Sequence, residues 1–349
     1  MVITISKEKL TNTVISDKPH VVILGAGASR AACPNGDMNG KKLPLMSDFA
    51  DCLNLRPKLK EWGIDPNQKF EDIFSNLFEQ EENEKMKNLE KNICDYFNSL
   101  TLPLEPTIYD HLVLSLRETD FIASFNWDPL LLQAYQRNCP SGIKLPRLVF
   151  LHGNVMVGSC KEHNRVNYVD QLCEYCKKPL QPVELLYPIT KKDYAQNKMI
   201  KTQWQRLETH LKKAFHFTMF GYSAPKTDVE AVSILKKAWN QKRSGGLLED
   251  ITIITPNTEE AHKRWKSFPY SQHMHPIDNF YESSTAKYPR RGFESSYEGN
   301  VMGHFVESNT IPKDLNFPKL WKWYEQFNES EERYRNEHPF PVLSQIQCF

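Results

Sequence analysis

The chain has 349 residues, 40% of them hydrophobic and 25% charged, a composition that excludes intrinsic disorder and suits one large globular domain or two ordinary ones. Lys and Arg number 44 against 43 Asp and Glu, so a net charge of +1 offers no long-range pull toward nucleic acid or an anionic membrane. The polar stretch Met1–His20 lacks the apolar core of a signal peptide, and no apolar run approaches the ~20 residues of a membrane-spanning helix, which predicts a cytoplasmic protein.

Five short apolar runs bounded by turn residues predict buried parallel strands: His20–Leu24, Asp120–Phe125, Arg147–Leu151, His216–Phe220 and Asp250–Thr255. Helical periods fill the gaps. Met86, Leu89, Ile93, Phe97 and Leu100 recur at steps of three and four, as do Tyr109, Leu112, Val113 and Leu116. Helices are also predicted over Thr227–Lys242, Thr258–Lys266 and Leu320–Tyr334. The alternation predicts an α/β fold: a Rossmann-like parallel sheet with helices on both faces. The polar, cysteine-bearing stretch 158–182 reads as an insertion within a domain covering 1–268. Residues 269–349, aromatic and polar, read as an appendage packed on the core.

Three turns at predicted strand ends carry chemistry. The first strand runs into Gly25-Ala26-Gly27-Ala28-Ser29, where glycines permit a tight turn and a helix start that aims N–H groups at a phosphate. A full dinucleotide fingerprint has a third glycine where this chain has Arg30, so a plain strand–helix turn is the competing reading. The second strand ends in Asn126-Trp127-Asp128-Pro129 and the third in His152-Gly153-Asn154. Open α/β sheets bind ligands at such carboxyl ends. Taken singly, Asn126 and Asp128 also fit a turn and helix cap, and His152 fits a core histidine bonded to a carbonyl.

After the histidine turn come Cys160-x-x-His163 and Cys173-x-x-Cys176. Two donor pairs of this spacing can wrap one tetrahedral zinc, and four protein ligands leave no open position, so the metal would be structural. Cys33, Cys52, Cys94 and Cys139 lie far apart and suggest no disulfide framework.

Taken in order, Gly-Ala-Gly-x-Ser, an Asn-x-Asp turn and a strand ending in His-Gly resemble the sirtuin superfamily. Phe220-Gly221-Tyr222-Ser223 resembles its glycine-serine turn beside the nucleotide, and Ile253-Ile254-Thr255-Pro256-Asn257 its strand and asparagine at the adenosine end. The resemblance covers about Lys18 to Lys266. It implies NAD as the substrate, His152 as general base, Asn126 orienting the ribose or the attacking oxygen, and Asp128 holding that turn or touching the ribose. It also implies cofactor contacts from Gly25, Ala26, Gly27, Ser29, Gly221, Ser223 and Asn257, and a structural zinc module after the histidine, here with His163 in place of one cysteine.

Two departures bear on the reaction. The short Gly-Ile-Pro-Asp-Phe-Arg segment of deacylating sirtuins is replaced by the longer Pro34–Phe49, and their Phe-Gly-Glu element by Glu184-Leu185-Leu186-Tyr187-Pro188. Both losses fall on parts a peptide would use. The resemblance is therefore to the divergent bacterial branch of NAD hydrolases in antiphage defence. Protein deacylation, ADP-ribosyl transfer and non-catalytic sensing of NAD or ADP-ribose are the alternatives. A homo-oligomer or a defence partner protein is the expected company.

Overall fold

The computed structural model describes residues 3–187, 198–224, 228–240, 250–265 and 274–339. In chain order the strands are β1 (Thr4–Ile5), β2 (His20–Leu24), β3 (Phe121–Ser124), β4 (Arg147–Phe150), β5 (Val157–Cys160), β6 (Arg165–Tyr168), β7 (Gln181–Pro182), β8 (His216–Phe220), β9 (Asp250–Ile254), β10 (Met274–Ile277) and β11 (Phe305–Val306). All five apolar runs are strands. All five are buried or nearly so, because strands within a parallel sheet are covered on both faces, and β2, β3 and β8 are buried along their whole length. Each buried Val, Ile, Leu or Phe contributes roughly 1.5–3 kcal/mol.

The main sheet has the order β10-β9-β8-β2-β3-β4, and every pairing in it is parallel. Counted along the chain, that order is the dinucleotide-binding arrangement in which the first strand is central. The chain builds outward through β3 and β4, then crosses back to lay β8, β9 and β10 on the other side. The reversal falls between β2 and β8, where such sheets open a crevice at the carboxyl ends of the strands.

Helices flank the sheet in two groups. Helix Ile108–Ser115 packs on Ala26–Ala32 and Leu130–Asn138, while Lys198–Leu211 packs on Val229–Asn240 and on β3 and β4. Ile108–Ser115 begins with a capping box in which Thr107 and Asp110 satisfy each other's backbone, and its residues 109–115 are all buried. The face Leu89, Ile93 and Phe97 of helix Asn83–Asn98 is buried as its period predicts. The predicted Thr227–Lys242 is realised as Val229–Asn240, with Thr227, Gln241 and Lys242 outside the described residues. Thr258–Lys266 is realised as Thr258–Trp265.

The predicted single helix Leu320–Tyr334 is two. Asn316 caps helix Phe317–Tyr324, a tight turn occupies Glu325–Phe327, and Asn328–Glu337 follows. The insertion forms a separate antiparallel sheet of order β6-β5-β7. Within the stretch expected as an appendage, β10 completes the main sheet. Arg290 Nη1 donates to the Leu114 and Leu116 carbonyls at 3.0 and 2.7 Å. Arg290 and Arg291 both pair with Glu331, and Trp321 Nε1 donates to Asn138 Oδ1 at 2.7 Å. Arg290, Arg291, Glu331 and Asn138 are almost wholly buried, so the tail is locked to the core by hydrogen bonds, those of the arginines charge-assisted.

Candidate active site

Register places the predicted residues together. Leu24 pairs with Ser124 and with Phe220, and Ser124 with Phe150. Two residues beyond these paired ends lie Ala26, Asn126, His152 and Tyr222. Asn126 and His152 thus occupy matching positions on adjacent strands, at the carboxyl edge and next to the β2 turn.

Hydrogen bonds join the turns. Asn126 Nδ2 donates to the Gly25 carbonyl and to Ser29 Oγ, both at 2.9 Å, and to Tyr109 Oη at 3.2 Å. Ser29 Oγ donates to Asp128 Oδ2 at 2.6 Å and lies 2.7 Å from Tyr109 Oη. Asp128 Oδ1 accepts from Leu130 N at 3.1 Å, which starts helix Leu130–Asn138. Asn154 Nδ2 donates to the Asp128 carbonyl at 2.5 Å and ties the histidine turn to the same knot. Asn126, Asp128, Ser29, Tyr109 and Asn154 are all buried.

The knot has an electrostatic consequence. Burial raises the Asp128 carboxyl to about 6, although the bonds from Ser29 and Leu130 pull the other way. Among the described residues no cation offsets the burial. Burial, with Asp128 nearby, also pushes the Tyr109 hydroxyl well above its ordinary value, so it stays a neutral partner.

Close packing of two turns requires the glycines. A Cβ on Gly25 would stand 2.5 Å from the Gly221 carbonyl oxygen, and one on Gly27 would stand 2.8 Å from Gly221 Cα. Gly221 itself has φ +62°, and a Cβ there would meet Ala28 N at 2.1 Å. The two turns interlock across the β2/β8 reversal, backbone on backbone, with Gly25 N donating to the Phe220 carbonyl at 2.9 Å and Gly27 N to the Gly221 carbonyl at 3.0 Å. Gly27 N–H and Ser29 Oγ are therefore committed within the protein. Ala26, half-buried at the first position of helix Ala26–Ala32, keeps an N–H with no partner among the described residues. Arg30, standing where a third glycine was sought, donates to the Leu43 carbonyl and to Asp48 Oδ2, both at 2.6 Å, and pins the Pro34–Phe49 loop to the turn.

His152 is buried, its ring edge-on to Phe125 at 4.7 Å, and Phe125 stacks on Tyr222 at 4.4 Å. Leu186 N donates to the His152 carbonyl at 2.9 Å, so the segment replacing the Phe-Gly-Glu element folds back across the histidine turn. Its Tyr187 stacks on Phe74 at 4.9 Å and meets Trp127 at 5.4 Å; Pro188 lies outside the described residues. Ser223 and Asn257 are exposed. The Ser223 carbonyl accepts from Arg264, and Asn257 Oδ1 accepts from Glu260 N at 3.0 Å, as a helix cap does.

The cysteine pairs converge. Cys160 Sγ lies 3.5 Å from His163 Nδ1 and 3.7 Å from Cys176 Sγ, and Cys173 Sγ lies 3.7 Å from His163 Nδ1. All four donor atoms lie within 4.8 Å of one another. Zinc–sulfur and zinc–nitrogen bonds of about 2.3 and 2.0 Å at tetrahedral angles demand donor separations of roughly 3.5–3.8 Å. The residues fit a structural zinc, with His163 ligating through Nδ1.

Tyr109, Asn154 and Leu186 were not among the predicted site residues. Tyr109 belongs to an apolar helical period and Leu186 makes its contact through its backbone, so neither carries a sequence signal. Asn154 did, being polar and two residues past the histidine.

No protein-family model matches the chain, and no curated protein matches it. Among solved structures it is similar to a mutant Sir2 homologue in complex with ADP-ribose, at 14% identity and a TM-score of 0.40, over 83% of this chain and 97% of that one. A structure described as the structural basis of sirtuin substrate affinity matches at 17% identity and a TM-score of 0.39, over 80% and 94%. A Sir2 homologue–NAD complex matches at 15% identity and a TM-score of 0.32, over 79% and 90%. Among the described residues, no helix is long and apolar enough to cross a membrane.

Proposed function

We propose that the chain binds NAD over the carboxyl edge of its main sheet and hydrolyses the nicotinamide–ribose bond, yielding nicotinamide and ADP-ribose. The observation that supports this reading is that Asn126 and His152 each lie two residues past a paired strand end, on adjacent β3 and β4, beside the interlocked glycine turns at the β2/β8 reversal. The order of motifs along the chain supports NAD as the dinucleotide.

Cleavage of this bond passes through an oxocarbenium-like state that needs a well-placed acceptor more than covalent help. His152 is the general base that takes the proton of the attacking water, a task suited to an imidazole. Asn126 and Asp128 hold the Gly25–Ser29 turn against β3, because both carboxylate oxygens of Asp128 and the amide hydrogens of Asn126 bond inward. Ala26 N–H is the donor left to face the pyrophosphate; Ser223 and Asn257 are reserved for the adenosine end.

Water, rather than an acylated lysine, is favoured as acceptor by the Glu184–Tyr187 segment. Its Tyr187 is committed to an aromatic cluster with Phe74 and Trp127. A role in antiphage defence, with a homo-oligomer or partner protein, belongs to the same reading through the motif resemblance. The test is nicotinamide release from NAD by the purified chain with and without an acetyl-lysine peptide. Release that does not respond to peptide is expected; release that strictly requires it would establish deacylation instead, and NAD binding without turnover would establish a sensor.

A further inference from the structure

A concave site lies between β4, the zinc-binding insertion and helix Lys198–Leu211. It encloses about 100 Å³. That is the scale of cavity that takes up a small ring or a short alkyl chain. Its lining is mixed, with an apolar part made by Leu148 from β4, Val166 and Leu180 from the insertion, and Met199 from the helix.

Polar side chains from the insertion and the helix share that lining, and two of them, Gln203 and Arg206, stand one helical turn apart on one face. Gln203 is only 7% exposed; its Oε1 accepts from Phe150 N on the open side of β4, and its Nε2 donates to nothing among the described residues. The amide is thus fixed through its oxygen, with its N–H donors left for a group that enters the cleft. Arg206 stands at the mouth, exposed, with no carboxylate partner among the described residues. The charged group that acts on it is another cation, Arg147. Arg165 and Glu174 also border the site, and Arg165 is already engaged with the Tyr175 hydroxyl and ring.

We infer that this cleft is a binding site for a small amphipathic carboxylate, its apolar body between β4 and the insertion and its anionic head on Gln203 Nε2 and the Arg206 guanidinium. A concave site that joins apolar wall to convergent polar groups is the ordinary form of a small-molecule site. A guanidinium is the best side chain for a planar carboxylate. The site is independent of the NAD reading.

The test uses the full chain and three probes: benzoate, hexanoate and neutral benzyl alcohol, each titrated by ligand-detected NMR and calorimetry. Saturable binding of a carboxylate in the millimolar range or tighter is expected, with the alcohol at least tenfold weaker. Arg206→Gln, an exposed change that leaves packing intact, should weaken the carboxylate about tenfold. Thr202→Phe, which puts a ring into the cleft from its wall, should abolish binding. A melting curve for each variant verifies folding. Absence of saturable binding by every probe, equal binding of acid and alcohol, or binding unmoved by both substitutions would overturn the assignment.

Discussion

Replacing Asp128 by Asn tests the buried knot beneath the proposed site. In the folded chain the carboxyl titrates at about 6 instead of its ordinary 3.8, because burial disfavours the anion more than Ser29 and Leu130 favour it. A group raised in this way binds more protons folded than unfolded between those values. Stability is therefore present in full at low pH and declines as pH rises from about 4 to about 6. A shift of about two units corresponds to roughly 3 kcal/mol, of which about 2 falls between pH 4 and 7. Asn cannot ionise, yet its carboxamide still offers an acceptor to Leu130 N and a donor to Ser29 Oγ. Urea denaturation of both proteins at several pH values gives the difference directly. The Asn variant should gain on the wild type by about 2 kcal/mol from pH 4 to 7. A difference that does not change with pH would refute the claim that Asp128 is buried without a cation.

Three further outcomes follow from packing, charge and metal. Gly221→Ala puts a Cβ 2.1 Å from Ala28 N at a residue of positive φ, so a stability loss of about 4 kcal/mol or failure to fold is expected by denaturant titration. Glu331→Gln strips the carboxylate from buried Arg290 and Arg291 and should cost about 3–5 kcal/mol at neutral pH. Burial would raise Glu331, but the two arginines hold it at about 2, so its stabilisation is present above 4.5 and lost only as pH falls toward 2; the penalty of the variant should shrink in that window. Protein purified without chelator should carry about one zinc per chain by elemental analysis, and Cys173→Ser with Cys176→Ser should lose both metal and melting temperature.

The sheet was legible because its inner strands are nearly continuous apolar runs such as Val21–Leu24 and Phe121–Ala123, which a two-sided core accommodates. The strand Met274–Ile277 was not, since an edge strand carrying His275 and Pro276 has neither an apolar run nor strict alternation. The candidate site was legible as far as Asn126 and His152 follow strand ends, since register gives them equivalent positions on adjacent strands. Ser29 and Asp128 were recognised as polar turn residues, but their inward orientation depends on Tyr109, eighty residues from Ser29 in the chain. Gly25 and Gly27 were read as room for a phosphate; the close approach of Gly221, a contact between distant segments, is an equal reason for them. The cysteine pairs were legible in full because metal ligands of this kind are set by local spacing.

The account turns on catalysis at the junction of β2, β3 and β4, and single-turnover nicotinamide release from NAD by His152→Ala and Asn126→Ala chains addresses it most directly. Both variants, shown by circular dichroism to be folded, should release nicotinamide at least a hundredfold more slowly than the wild type. Wild-type rates in either folded variant would contradict the account.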